Sequence, residues 1–445
     1  MKKYDVVIVG GGPAGIITAM TAKTYYPDKS MLIIRKEKNV LVPCGIPYTM
    51  STITLEKNYI PDAGLTGKGI EIEIAEVTKI DSVKKQIETE KGGFEYDKLV
   101  LAAGSRPAEP KWLKGRDKKN VFYIEKSEEY LKTLKNSLDK KKRVLIIGGG
   151  FIGVEVADEL NKEGHKVTLV EKLPHVLSLA IDSDFSCNLD DTLKKRGIEL
   201  FLGESVEEIT GDEFVDGVIL ENKKKVDADV VIIAIGYSPN SKLAKEAGAL
   251  VGVKGAIWVD EYMRTNIKDI FAVGDCAERK SFITRKLTNI MLASTATSEA
   301  RIAGANLYKL QMLRTFTGTI GIFSTRIGEC AIGSAGLTET QAVEEGFEVI
   351  SATFETKDRH PGSLPDASTV RVKLIASKMS GLILGGQIGG GESVGEMINI
   401  VGLMIQNKMS VHDLMILQIG THPLLTAAPT VYPLIKVAEL IISKL

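Results

Sequence analysis

Two copies of one pattern constrain this 445-residue chain more than anything else in it. Near the N-terminus, Val6-Val7-Ile8-Val9 runs straight into Gly10-Gly11-Gly12-Pro13-Ala14-Gly15, and a helical pattern follows through Lys23. Further along, the apolar run from Arg143 to Ile147 leads into Gly148-Gly149-Gly150-Phe151-Ile152-Gly153 and a second helical pattern containing Glu155 and Ala157. Each reads as strand, GxGxxG, helix. In such a turn the first glycine permits the tight bend, the second lets the backbone approach a pyrophosphate, and the third lets helix pack on strand. The helix N-terminus attracts the phosphates. One such turn is weak evidence, but two in the right context predict two dinucleotide-binding folds. The candidate binding residues are Gly10, Gly12, Pro13, Ala14 and Gly15 in the first, and Gly148, Gly150, Phe151, Ile152 and Gly153 in the second.

A carboxylate at the end of the next strand takes the hydroxyls of an adenosine ribose. After the second turn, Val167–Val170 ends in Glu171, which favours NADH, while adjacent Lys172 leaves NADPH possible. After the first turn, Met31–Ile34 ends in Arg35, with Glu37 two residues later. Either Glu37 reaches a ribose from a shifted turn, or Arg35 stacks on or hydrogen-bonds the adenosine.

The length suggests roughly two or three domains. With 57 basic and 57 acidic residues the net charge is zero, so no overall field recruits nucleic acid or an anionic membrane. Met1-Lys2-Lys3 before an apolar run imitates a secretory signal, but the glycine turn inside that run argues against cleavage. Pro429, Pro433 and Lys436 interrupt the apolar C-terminal region, and no uninterrupted stretch reaches the ~18 residues of a membrane span. A soluble cytoplasmic protein is expected. Cys44, Cys187, Cys276 and Cys330 lie far apart, without zinc-site or dithiol spacing, so no metal site is expected.

Three further segments carry a resemblance. Tyr96–Pro107 reads YDKLVLAAGSRP, Val226–Asn240 reads VDADVVIIAIGYSPN, and Asn266–Ala277 reads NIKDIFAVGDCA. With the two glycine turns, they resemble the pyridine nucleotide-disulfide oxidoreductases. The resemblance implies an α/β fold of two Rossmann-like domains, an FAD domain split by an inserted NAD domain, followed by an α+β dimerisation domain. The implied boundaries are 1–115, 116–248, 249–322 and 323–445. Ala103, Gly104 and Gly236 would belong to the nucleotide sites, and Gly274 and Asp275 to the FAD ribityl or pyrophosphate region. Gly318–Gly321, Gly336–Glu339 and Gly381–Gln387 are similar, more loosely, to the C-terminal domain, which implies a homodimer.

Cys44 decides the branch. Thr49 stands where the two-cysteine reductases have their second cysteine, and Pro43–Tyr48, reading PCGIPY, resembles the single-cysteine branch. That branch includes coenzyme A disulfide reductases, water-forming NADH oxidases and NADH peroxidases. One cysteine can relay electrons as a sulfenic acid or a mixed disulfide. The chemistry needs a low thiol pKa, which a helix beginning at Cys44 would supply, Pro47 being tolerated in its first turn. Pro13 occupies the position of the histidine found in the peroxidases, which favours a disulfide reductase. The segment Gly420–Ala428 resembles the His-Pro motif of the two-cysteine enzymes. His422 would then reach across the dimer as acid/base or ion-pair partner, or be a packed interface histidine; Ala427 replaces the orienting glutamate, and His360 and Tyr432 are weaker candidates.

The expected function is electron transfer from NADH through FAD to Cys44, and on to dioxygen or a low-molecular-weight disulfide such as coenzyme A disulfide. Lys23, Lys57 and Lys68 are the candidate phosphate contacts, since no arginine lies between Arg35 and Arg106. The alternatives are a persulfide reductase, a reductase of rubredoxin or ferredoxin that needs no cysteine, and a non-enzymatic redox sensor.

Overall fold

In the computed structural model, which describes residues 1–140 and 142–445, the β-branched run at the N-terminus becomes the strand Lys2–Val9 inside a mainly parallel sheet. It lies between Met31–Arg35 and Gly92–Leu101, with Ile70–Ile74 beyond Met31–Arg35. Val6, Val7 and Ile8 are fully buried, as successive apolar residues are in a strand covered on both faces. The helix Pro13–Tyr25 leaves this strand through the first glycine turn and packs against Ala293–Ala305, from far along the chain. Small residues let the two approach: a methyl group on Gly304 would lie 2.7 Å from the Thr18 carbonyl oxygen.

The long strand Gly92–Leu101 has two neighbours on its other edge. Its first half carries an antiparallel hairpin of Val77–Asp81 and Gln86–Thr89, and its second half pairs in parallel with Ile270–Ala272. Between leaving and rejoining this sheet, the chain builds a second parallel sheet in the order Val121–Tyr123, Val230–Ile233, Arg143–Ile147, Lys166–Glu171, Glu199–Leu202. An antiparallel meander, Val206–Thr210, Gly217–Leu220 and Lys225–Asp227, precedes its return strand. Ser105–Pro107 and Tyr237–Pro239, the outgoing and incoming crossings, pair with each other as a short ribbon. One dinucleotide fold is thus inserted into another, as the sequence leads one to expect.

The remaining chain forms a five-stranded antiparallel sheet in the order Phe323–Ile327, Cys330–Gly336, Ile383–Gly390, Thr369–Ser377, Val349–Lys357. Its residues alternate with period two. Val370, Val372, Leu374 and Ile388 join the core formed with helices Val394–Gln406 and Pro433–Ile442. Arg371, Lys373 and Gln387 point the other way, toward the helix Ser183–Lys195 of the inserted fold. There Lys373 Nζ lies 3.0 Å from Asp182, 3.3 Å from Asp184 and 2.9 Å from Glu339, and Gln387 donates to Asp182 at 2.7 Å. Among the described residues, no helix is long and apolar enough to cross a membrane.

Candidate active site

Cys44 sits in the 3-10 turn Pro43–Gly45, and a second such turn, Pro47–Met50, follows it. This corrects the expected helix. Pro47 has no N–H to bond the Pro43 carbonyl, so the chain closes shorter loops instead: Gly45 N–H to Val42 O at 3.0 Å, Ile46 N–H to Pro43 O at 3.3 Å and Thr49 N–H to Ile46 O at 3.0 Å. Turns this short carry little of the aligned dipole of an α-helix N-terminus. Thr49 is fully buried and donates its hydroxyl to Ile46 O at 2.7 Å.

Neighbours hold the turn from two sides. Asn58 donates to Val42 O at 3.1 Å, and its Oδ1 fills the space where a methyl group on Gly45 would be only 2.0 Å away. On the other side the second glycine helix, Phe151–Lys162, brings up Glu159, whose carboxylate accepts from Thr52 N–H at 2.8 Å and Thr52 Oγ1 at 2.9 Å. One turn earlier on the same helix, Glu155 accepts from Thr325 Oγ1 at 2.7 Å, a residue of the strand Phe323–Ile327. At the head of that helix Phe151 stacks on Phe323, their centroids 5.0 Å apart. All three parts of the chain therefore meet around Cys44.

The electrostatics there also differ from expectation. Cys44 has accessible surface, yet the protein around it desolvates the thiol enough to push its pKa up, with Glu155 and Asp275 adding to the rise and Lys126 opposing it. Burial pushes the Glu155 carboxyl up to about 7, with further help from Glu159, against the hydrogen bond from Thr325. Glu155 thus exchanges its proton near neutrality.

Asp275 lies in the turn Gly274–Cys276. Its carboxylate accepts from Ser105 Oγ at 2.7 Å and Lys126 Nζ at 2.9 Å. Burial acts to raise its pKa, but Lys126, Ser105 and Arg279 outweigh it and hold the carboxyl below the usual range. Gly274 donates its N–H to the fully buried Glu299 at 2.8 Å, and its carbonyl accepts from Arg279. A side chain at Gly274 would meet Ala14 at 2.8 Å, so this turn sits directly against the first glycine helix.

The glycine turns fit dinucleotides. Gly10 and Gly148 adopt φ of +115° and +109°, and a methyl group on either would strike the carbonyl of the adjacent strand, Ala102 O at 2.1 Å or Ala234 O at 2.5 Å. Gly15 and Gly153 would each press on the first glycine's carbonyl, at 1.9 Å in both cases. Gly12 and Gly150 cap helices without a side-chain bond and face open space, leaving backbone N–H groups at the head of each helix for a phosphate. Pro13 and Phe151 are the first helical residues, followed by Ala14 and Ile152.

Arg35 ends its strand inside the protein. It is buried, and it spends its donors within the protein, on Asp62 at 2.7 and 2.6 Å, Glu37 O at 3.0 Å and Lys38 O at 2.8 Å. Its stem presses on Gly11 instead of presenting a free guanidinium. Glu171 is bonded to the second glycine loop, accepting from Gly149 N–H at 2.5 Å and Leu173 N–H at 2.7 Å, with a further lone pair on each oxygen. The carbonyls of Ala103 and Gly104 accept from Asn240, and that of Gly236 accepts from Ala108, so these three residues also brace the interdomain ribbon.

His422 is exposed on a C-terminal loop, where its Nδ1 accepts from Leu424 N–H at 3.3 Å. Among the described residues no hydrogen bond joins it to Cys44. His360 Nδ1 lies 2.9 Å from Thr426 O, while Ala427 and Tyr432 are packed in the C-terminal core. Sequence reasoning missed Lys126, Ser105, Glu159 and Thr325. The four-residue spacing of Glu155 and Glu159, which puts both carboxylates on one helix face, was the available signal; the others lie on distant elements with none.

A parallel dinucleotide fold interrupted by a second one, with a cysteine turn gripped by the inserted helix, defines an oxidoreductase that uses FAD and NAD(P)H. The chain belongs to the pyridine nucleotide-disulphide oxidoreductases: that family's model matches residues 4–300, and the family's dimerisation domain matches residues 322–431. It is 31% identical to the NAD(P)H coenzyme A polysulfide/persulfide reductase of Pyrococcus horikoshii, over 99% of each chain. It is 34% identical to an NADH oxidase of Methanocaldococcus jannaschii, over 92% of each. The structure of an NAD-dependent persulfide reductase from A. fulgidus superposes with a TM-score of 0.91 at 29% identity, covering 99% of this chain and 83% of that one.

Proposed function

We propose that Cys44 is the redox-active residue and that its acceptor is a low-molecular-weight disulfide or persulfide of the coenzyme A class. The observation that carries this reading is a single accessible thiol at the junction of the two dinucleotide folds, in a turn held by Asn58 on one side and by the helix of Glu155 and Glu159 on the other. The Cys44 thiolate attacks one sulfur of the disulfide, the Cys44–S bond forms, and the other thiolate leaves. Glu155, through the oxygen not bonded to Thr325, supplies the proton that the leaving thiolate takes up. Two electrons from NADH then release the second thiol and restore Cys44. Bound FAD supplies the chemistry that accepts hydride from the nicotinamide and returns its electrons to sulfur.

The chain's residues divide the remaining work. Gly10, Gly12, Gly15 and the head of the first helix hold the FAD pyrophosphate, Asp275 is oriented for FAD by Lys126 and Ser105, and Glu37 takes the ribose while Arg35 fixes its turn. Gly148, Gly150, Gly153 and Glu171 receive NADH in preference to NADPH. Lys57 and Lys68 are exposed and available to phosphates, whereas Lys23 is drawn to the Lys29 carbonyl at 2.9 Å. The division into residues 1–115, 116–248, 249–322 and 323–445, a homodimer with His422 crossing to the partner's cysteine turn, and a cytoplasmic setting for four free thiols complete the reading.

Dioxygen is the second reading, favoured by the likeness to an NADH oxidase. Anaerobic NADH consumption by the FAD-loaded protein, with coenzyme A disulfide as sole acceptor, separates the two. Rapid turnover that disappears in Cys44→Ser supports the disulfide reading. No anaerobic turnover, with fast oxidation once air is admitted, overturns it in favour of the oxidase. Turnover with coenzyme A disulfide that survives in Cys44→Ser would remove Cys44 from the reaction and overturn its role.

A further inference from the structure

Away from Cys44, the helix Ser183–Lys195 and the loop before it assemble a second thiol site. Cys187 and Asp190 are three residues apart on the helix, hence on one face. His175 comes from the loop that follows the strand Lys166–Glu171. Cys187 Sγ lies 3.7 Å from each ring nitrogen of His175, and His175 Nδ1 lies 2.7 Å from Asp190 Oδ2. Asp190 is buried, and its other oxygen accepts from Val176 N–H at 3.1 Å, so the carboxylate is locked in place and orients the imidazole. Cys187 itself is exposed. The order is therefore accessible thiol, imidazole, buried carboxylate, the arrangement in which a base activates a sulfur nucleophile. Nδ1 is committed to Asp190, so Nε2 is the nitrogen free to act as base; Cys187 Sγ, equidistant from both nitrogens, reaches its in-plane lone pair by a rotation of the cysteine side chain. Among the described residues, neither buried Cys276, which bonds the Leu101 and Val273 carbonyls, nor half-buried Cys330 makes a hydrogen bond to a histidine.

We propose that Cys187 is a second thiol–disulfide exchange site, modified by low-molecular-weight disulfides with His175 as its base and Asp190 as the positioning residue for that base. The thiol proton passes to His175 Nε2, and the Cys187 sulfur attacks the disulfide. A Cys187–S bond forms, the original S–S bond breaks, and the leaving thiolate takes a proton. Cys187 is oxidised, one half of the small disulfide is reduced, and no further oxidant is required. The adduct would sit on the helix whose N-terminal residues grip the C-terminal sheet through Asp182 and Asp184. The proposal does not depend on the reading of Cys44, because the reaction needs only this cluster and the small disulfide.

The test uses the full-length, FAD-loaded Cys44→Ser protein with hydroxyethyl disulfide, followed by intact-mass and peptide mapping over time. The expected result is one adduct, on Cys187, forming faster than any on Cys330. His175→Asn, with flavin retained, should slow it by roughly 10-fold or more, and Asp190→Asn should slow it less. No adduct on Cys187, an adduct no faster than that on Cys330, or an unchanged rate in His175→Asn would each overturn the proposal. The comparison with Cys330 decides the matter even if the His175 variant loses its flavin.

Discussion

At Cys44, the accessible thiol and the neighbouring carboxylate work against each other. The thiol is raised first by desolvation and then by the charge of Glu155, so taking that charge away moves thiolate formation to lower pH. We therefore expect the alkylation rate of Cys44, measured against pH with iodoacetamide, to rise at lower pH in Glu155→Gln than in the wild type. An unchanged profile would mean that Glu155 does not act on the thiol. Glu299 offers a second residue-level test, now through stability. It is fully buried and its carboxyl is pushed from 4.5 up to about 7, by burial above all. Between those values the folded protein holds a proton that the unfolded chain has lost, so stability falls as pH rises through this window. Relative to Glu299→Gln, the wild type should lose on the order of 3 kcal/mol between pH 4.5 and 7 in urea denaturation. Neither role was legible in the sequence, because each depends on burial and on a partner from a distant element. Glu155 meets Thr325 only because two elements 170 residues apart come together.

The strand–turn–helix units were the most legible elements, because their glycines answer local geometric demands that few other residues meet. Gly153→Ala tests this: its methyl group would lie 1.9 Å from the Gly148 carbonyl and push the second helix off its strand. NADH should then reduce the flavin poorly, with KM raised about 10-fold or more, while dithionite still reduces it and FAD remains bound. Loss of FAD as well would show that the two folds do not bind their nucleotides independently. The element around Cys44 was the least legible. Its motif suits a helix start, but Pro47 removes the donor that a full turn needs, and what holds the segment is Asn58 on one side and Glu159 on the other. Arg35 is a similar case. A cation at the strand end suggests a ligand contact, whereas Asp62, distant in sequence, claims the guanidinium.

For the whole molecule, the seam between the inserted fold and the C-terminal sheet is the decisive contact, since it sets the helix of Glu155 against the strand of Thr325. Lys373 anchors it among Asp182, Asp184 and Glu339 with only 9% of its side chain exposed. Lys373→Met would leave the buried Asp182 without its cation, and should cost about 3 kcal/mol in urea denaturation. Hydrogen exchange should rise along Ser183–Lys195 if the seam, and not the sheet alone, is loosened. The sequence by itself determined the two dinucleotide folds and their order, because these rest on short-range demands of glycine and apolar period, while the nesting and the single-cysteine branch followed from the family resemblance of its motifs. Tertiary structure alone decided which charges surround Cys44, what Arg35 binds, and that His175 and Asp190 meet beside Cys187. Those outcomes depend on burial and on contacts between distant segments, where desolvation sets the strength of every charge.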